Sequence, residues 1–347
     1  MDDILAVLKE RAGRAIGEKV FPGCVVGLIR QDNTTTPVQV LSTSLIVCAG
    51  TLEGKVPTNK NTIYDLASIT KSIPLATLAL ALIDEGKLAL ADEVKTYLPE
   101  LRNDHGTTIE DLLRYRVTGP QLSSLQFKTF EEIRTHILER GFDGPPGESV
   151  YTNLPAFVLG LILERVTGEN LPALAHRYFF EPFKMIDTTF SPTVPDTSIS
   201  TGRHKLMRPD QRIAPTEIVG GVEIKGIVHD ESARCFSRAY RAVGHAGLFS
   251  TAPDLLKFLE ALLNGKLPAV VEGAQKGLGW EVDREWMGSK RRKKTFGKTG
   301  FTGTSILCDV ERGVGLVILS NRTYPHRPPD NSAINLFRKD IADIVFG

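Results

Sequence analysis

Two rhythms of apolar residues divide the chain. Over residues 3–19, Ile4, Leu5, Leu8, Ala12, Ala15 and Ile16 recur every three or four positions, which predicts an amphipathic helix. Phe21-Pro22-Gly23 ends it. Residues 24–29 (CVVGLI) and 45–49 (LIVCA) are short apolar runs on either side of a polar stretch, and they predict strands. Residues 62–87 read TIYDLASITKSIPLATLALALIDEGK. Ile73, Leu75, Leu78, Leu80, Leu82 and Ile83 wrap nearly the whole circumference, so the spacing predicts a buried helix. Pro74 near its start is tolerated where an N–H lacks a partner anyway, and Gly86 supplies the stop.

Helix signals dominate residues 88–230. Thr107-Thr108-Ile109-Glu110 resembles a capping box ahead of Leu112 and Leu113. Residues 130–139, 154–166 and 171–180 predict further helices, the second opened by Tyr151-Thr152-Asn153 and closed by Thr167-Gly168. Residues 191–228 lack periodicity and read as a long irregular excursion. After Gly244 the pattern changes to a helix over 255–263, strands over 278–282, 304–310 and 314–320, and a C-terminal helix from Asp330. Strands at both ends with helices between predict one sheet built from residues 1–67 and 230–347. A mainly helical domain, 68–229, is inserted in it, and the active site falls at the interface of the two.

Composition removes several function classes. The 347 residues are 41% hydrophobic and 24% charged, with a net charge of +1, so no global charge points to nucleic acid or an anionic membrane. The longest apolar run, 73–83, is too short to span a bilayer, so no membrane insertion is expected. The N-terminus is acidic first and amphipathic after, without the pattern of a signal peptide. The expectation is a cytoplasmic protein, or an exported one whose leader has been removed. Cys24, Cys48, Cys235 and Cys308 show no paired spacing and read as free thiols; the seven histidines form no metal-binding pattern. No metal and no cofactor are expected.

Three short motifs occur once each and in order: Ser68-x-x-Lys71, Tyr151-Thr152-Asn153 and Lys298-Thr299-Gly300. Each has a role if the chemistry is acyl transfer. Ser68, at the mouth of the buried helix, attacks a carbonyl. Lys71, one turn on, accepts a proton if desolvated. Tyr151 shares the acid–base work, provided an ammonium lies near enough to lower its pKa. Asn153 donates to the substrate amide. Lys298-Thr299-Gly300 ends a turn leading into an edge strand, where Lys298 and Thr299 face the substrate and Gly300 lets it lie close. The backbone N–H groups of Ser68 and Phe301 form the oxyanion hole.

These motifs resemble those of the serine penicillin-recognising hydrolases: penicillin-binding proteins, class C β-lactamases and related esterases. Tyr64-Asp65-Leu66-Ala67, Asp84-Glu85-Gly86-Lys87-Leu88, residues 244–251 (GHAGLFST), Gly279-Trp280 and residues 300–305 (GFTGTS) are similar to family stretches as well. The resemblance spans roughly residues 20–325. It implies an α+β fold, an α/β sandwich with a central antiparallel sheet flanked by helices plus an all-helical domain. It also implies a Ser68 acyl-enzyme. The expected substrate is a carboxylate-bearing amide, such as a D-amino-acid peptide, a muropeptide or a β-lactam. A carboxylesterase and a non-catalytic penicillin or cell-wall-fragment sensor are the alternatives. Arg116-Val117-Thr118-Gly119 departs from the Thr-Ser-Gly common in relatives, and many family esterases carry histidine at the position of Lys298.

Other readings carry less. Gly297-Lys298-Thr299 is not a phosphate-binding loop, since Arg292 stands where that motif needs glycine. Residues 290–294 (KRRKK) read as a solvated hairpin tip or, alternatively, as a rim drawing anionic substrate towards Lys298. His245 reads as a structural histidine in a glycine-rich turn, His229-Asp230 as a loop hydrogen-bonding pair, and Trp280 and Trp286 as core and rim residues.

Overall fold

The computed structural model describes residues 2–31, 42–125, 129–190, 192, 211–237 and 241–347. Its first element is helix α1, Asp2–Gly17, followed by strands β1, Gly23–Gln31, and β2, Ser42–Gly50. Four C-terminal strands complete one antiparallel sheet: β3, Glu281–Val282; β4, Phe296–Thr299; β5, Ser305–Asp309; and β6, Val314–Ser320. The order is β2-β1-β6-β5-β4-β3, so the first strand lies against the last, with Cys24 opposite Ser320.

Alternation along the strands sorts their side chains to two faces. Cys24, Val26 and Leu28 on β1 and Leu316 and Ile318 on β6 pack with α1 and with the C-terminal helix, Ser332–Phe346. Val25, Ile29, Val317 and Leu319 face the larger core on the other side. There the helix Ala252–Leu263 lies directly on the sheet. A Cβ on Gly27 would meet Leu256 at 3.1 Å, and one on Gly315 would meet Leu259 at 2.9 Å. Glycine at these two positions permits the close approach.

The helical region begins with α2, Thr77–Asp84, and continues through α3, Ile109–Leu113, α4, Phe130–Arg140, and α5, Leu154–Thr167. The capping box of α3 forms one residue later than the sequence suggests. Thr108 caps it and Asp111 reciprocates, because Thr107 turns its hydroxyl to the Asp104 carbonyl. Thr129 and Glu132 cap α4 in the same way, and Gly168 ends α5 in the left-handed conformation. Of the excursion expected over 191–228, the described part holds a small hairpin, Glu217–Val219 with Val222–Ile224; most of 191–210 lies outside the described residues. The stretch Ala67–Asp84 is long and apolar enough by composition to cross a membrane, but 78% of it is buried inside this fold.

Candidate active site

The single long helix expected over 73–83 is interrupted. Ala67–Lys71 is a tight 3₁₀ turn, Ile73 is extended (φ −119°, ψ 112°), and regular α-helix begins only at Thr77. The cause is Pro74, which pushes its predecessor out of the helical region. Ser68 therefore sits on a short, separately braced turn and not at the mouth of a straight helix. Ala67 just before it has φ +48°, a left-handed conformation uncommon for a residue with a Cβ.

Bonds from distant parts of the chain hold that turn. The Asp65 carboxylate accepts from the N–H groups of Ala67 and His229, both at 2.8 Å. Thr302 Oγ1 donates to the Asp65 carbonyl (2.7 Å) and Thr304 Oγ1 to the Leu66 carbonyl (3.1 Å). Gly300 belongs to the same clamp. A Cβ there would lie 2.2 Å from Thr304 Oγ1 and 2.3 Å from the Leu66 carbonyl oxygen. The sequence reading gives Gly300 as room for a substrate; in the structure it makes room for the turn that carries Ser68.

Lys71 is 1% exposed. Its Nζ donates to Ser68 Oγ at 3.0 Å and to the His245 carbonyl at 2.8 Å. Burial pushes its pKa down; Tyr151 and Asp230 pull it up and Lys298 adds a downward push, and the net shift is downward. Tyr151 leaves 54% of its surface open, so one flank lines a cleft. Burial of its inner side raises its pKa, but the two ammonium groups, with smaller help from Ser68, outweigh that and bring it down. Both lysines lie against its ring, Lys71 Nζ 5.2 Å and Lys298 Nζ 4.4 Å from the centroid. Asn153 is turned towards Asp230, its Nδ2 donating to Oδ2 at 3.3 Å.

Lys298-Thr299 ends a strand and does not lead into one: β4 stops at Thr299, and Gly300 to Gly303 make the turn towards β5. Nor is β4 the edge. The two-residue β3 flanks it, with Glu281 opposite Gly297. This register brings Glu281 to Lys298, whose Nζ lies 3.1 Å from Oε1. Burial alone would lower the pKa of Lys298, but Tyr151, Tyr115 and Glu281 more than reverse it. Thr299 Oγ1 also donates to Glu281 Oε1, at 3.3 Å, and Trp286 Nε1 donates to Oε2, at 2.8 Å. Trp280 is buried edge-on against Phe296. Phe301 stacks on His229, ring centroids 5.8 Å apart.

A cleft of about 550 Å3 opens beside this cluster, lined by Tyr115, Tyr151, Glu281 and Lys298 with Arg116 and Arg284 on its walls. The structure thus brings Ser68, Lys71, Tyr151, Lys298 and Thr299 to one place. Four residues of the site carry no catalytic or binding role in the sequence reading, although Asp65 stands in a family-like stretch and Asp230 in an expected loop hydrogen-bonding pair. Asp65 and Asp230 brace the turn and Asn153. Tyr115 sits in the left-handed region (φ +56°) with its ring 5.4 Å from that of Tyr151. Glu281, in the Gly-Trp-Glu run, had only its neighbours as a signal. His245 contributes its carbonyl, while its ring bonds to Ser232 (2.9 Å) and lies 3.5 Å from Asp230; burial lowers its pKa, which keeps it neutral. The basic run 290–294 forms the loop between β3 and β4. Three of its residues are tied to Gly347, Asp283 and Glu311, and the run ends in a turn before β4 begins at Phe296. Among the described residues no group of three His, Cys, Asp or Glu side chains is arranged to hold a metal ion.

A sandwich with this sheet and a serine–lysine–tyrosine cluster beside a cleft defines a serine hydrolase of the acyl-transfer type. A family model described as Beta-lactamase matches residues 13–339, and the chain belongs to that family. It is 28% identical over 332 residues to an Escherichia coli K12 protein named "Putative D-alanyl-D-alanine carboxypeptidase", covering 80% of this chain and 72% of that one. Solved structures share the fold. EstCE1, a hydrolase with promiscuous acyltransferase activity, superposes with a TM-score of 0.72 at 21% identity, covering 100% and 99% of the two chains. The D-alanine carboxypeptidase AmpC from Burkholderia cenocepacia gives 0.71 at 17%, covering 98% of each. The simvastatin synthase LovD from Aspergillus terreus gives 0.68 at 17%, covering 100% and 97%.

Proposed function

We propose that the protein cleaves an ester or amide through a covalent acyl-enzyme at Ser68. The observation that carries this is the 3.0 Å contact from Lys71 Nζ to Ser68 Oγ, made by a buried lysine of lowered pKa beside a tyrosine of lowered pKa. Ser68 Oγ attacks the carbonyl carbon while its proton passes to the Lys71–Tyr151 pair. The carbonyl oxygen takes the electron pair, stabilised by the N–H groups of Ser68 and Phe301. The pair re-forms the C=O bond, and the C–O or C–N bond breaks as the leaving group takes the proton from Tyr151. Water then attacks the acyl carbon as the same pair removes its proton; the acyl C–Oγ bond breaks, Ser68 Oγ takes that proton back, and a carboxylic acid leaves. Asn153 holds the acyl side.

A carboxylate-bearing amide, such as a D-amino-acid peptide, a muropeptide or a β-lactam, is the substrate class that the relatives' names support. A small neutral ester is the second reading, favoured by Glu281, which already engages Lys298 and Thr299. Intact mass spectrometry after exposure to an activated ester or a penicillin tests the common mechanism. An adduct on Ser68, absent in Ser68→Ala, is expected. An adduct at the buried Ser72, Ser250 or Ser305 instead would falsify it.

A further inference from the structure

Lys298 and Thr299 are the two side chains expected to face the substrate, and both are turned to Glu281. That carboxylate is held by three donors: Lys298 Nζ at 3.1 Å, Thr299 Oγ1 at 3.3 Å and Trp286 Nε1 at 2.8 Å. The placement is built into the sheet. Edge strand β3 puts Glu281 opposite Gly297, where a Cβ would come within 2.3 Å of the Ile306 carbonyl oxygen and 2.8 Å of the Trp286 indole that lies over it. The indole so placed holds Oε2. Lys298 is 1% exposed, and its other near neighbours are the faces of Tyr151 and Tyr115, at 4.4 and 5.5 Å.

We infer that Glu281 is an internal stand-in for a substrate carboxylate, and that it tunes the cleft to substrates whose group beside Lys298 and Thr299 is uncharged. The inference deepens the Ser68 acyl-enzyme reading and rests on it. A carboxylate arriving at this point meets a second one already partly buried and satisfied by three donors, and like charges so juxtaposed are disfavoured. Turning Glu281 away would strip the Trp286 indole N–H of its partner and leave the buried Lys298 without its counter-ion. Burial by itself would raise the Glu281 pKa, but Lys298 and Trp286 hold it below the usual value, so the stand-in is ionised at neutral pH. Arg116 and Arg284 on the cleft walls are exposed, so their pull on an anion is screened by salt.

The test is a matched pair of esters, phenyl butyrate and 3-carboxyphenyl butyrate, since a meta carboxylate barely alters the leaving ability of a phenol. In the unaltered protein kcat/KM favours the neutral ester by about tenfold or more. Glu281→Gln keeps the shape and removes the charge; it brings the ratio to within about threefold by raising the rate on the carboxylate ester. Labelling of Ser68 by phenyl butyrate checks that the variant is folded. If it is not, the unaltered protein decides: the preference persists at about 1 M salt, where screening acts within about 3 Å and weakens exposed charges far more than partly buried ones in contact. A ratio near one, a preference for the charged ester, an equal effect of Glu281→Gln on both esters, or a preference that vanishes in salt overturns the inference while Ser68 is still acylated. No adduct at Ser68 from either ester overturns the acyl-enzyme reading, and the inference with it.

Discussion

Two lysines, each 1% exposed and each lying against the ring of Tyr151, behave in opposite ways. Lys71 donates to neutral acceptors, a serine hydroxyl and a backbone carbonyl, and its pKa falls. Lys298 lies against Tyr151 and Tyr115 and beside the Glu281 carboxylate, and together they make its pKa rise. Burial penalises both ammonium groups alike, so depth does not separate them; the partner does. One site thereby holds a lysine able to give up its proton and another that stays a cation throughout. The permanent cation also helps to discharge the first, since its field acts on both Lys71 and Tyr151.

The largest expected effect comes from removing the base. Lys71→Met lowers kcat/KM by about a hundredfold or more, and Tyr151→Phe does the same. The double variant is little worse than the poorer single, because the two pass one proton; multiplicative losses would make them independent. Gly300→Ala alters neither lysine but forces the Ser68 turn away from Thr304. A stability loss of about 1–3 kcal/mol is expected, read by denaturant unfolding. Unchanged stability would mean that the clamp does not hold the turn. Lys298→Met costs about tenfold in kcat/KM and moves the acid limb of the pH–rate profile upwards. The sign follows from the lost cation: without it the Lys71 ammonium is less disfavoured, its pKa climbs, and the free base appears at higher pH. An unmoved limb would break the contrast between the two lysines. Asp230→Asn does the reverse, since Asp230 raises the Lys71 pKa; the acid limb moves down, with a few-fold change in rate. A limb that moves up would show that Asp230 acts only through Asn153.

The residues of the candidate site are legible because local spacing carries them. Ser68 and Lys71 are three residues apart and meet through one turn; the Tyr151 and Lys298 motifs stand out as triplets. The first strands and the amphipathic ends of the chain were legible from period alone. What spacing did not carry was set by register and by distant bonds. Glu281 reaches Lys298 only because a two-residue strand pairs with β4, and two residues leave no alternation to read. Lys298-Thr299 was placed before a strand and not at its end because Phe296-Gly297 offers almost no apolar run. The break at Ile73 does not follow from Pro74 alone, since a proline near a helix start is also compatible with an unbroken helix. Asp65 and Asp230 bond to backbone and amide groups that are neighbours only after folding.

The clamp around Ser68 has a consequence for the order of events during synthesis. Its Thr302 and Thr304 lie some 230 residues beyond the turn they hold, and the buried Arg338 of the C-terminal helix bonds to the carbonyls of Gly300 and Thr304 at 3.0 and 2.7 Å. Strand β1 likewise waits for β6 as its neighbour. A ribosome-bound chain that has released every residue up to about 290 already contains Ser68, Lys71 and Tyr151, yet lacks the groups that fix the serine's turn. On the proposed mechanism, competence to be acylated arrives late, when the last helix docks. A chain cut short before that helix keeps three side chains of the candidate site and loses the scaffold that positions them.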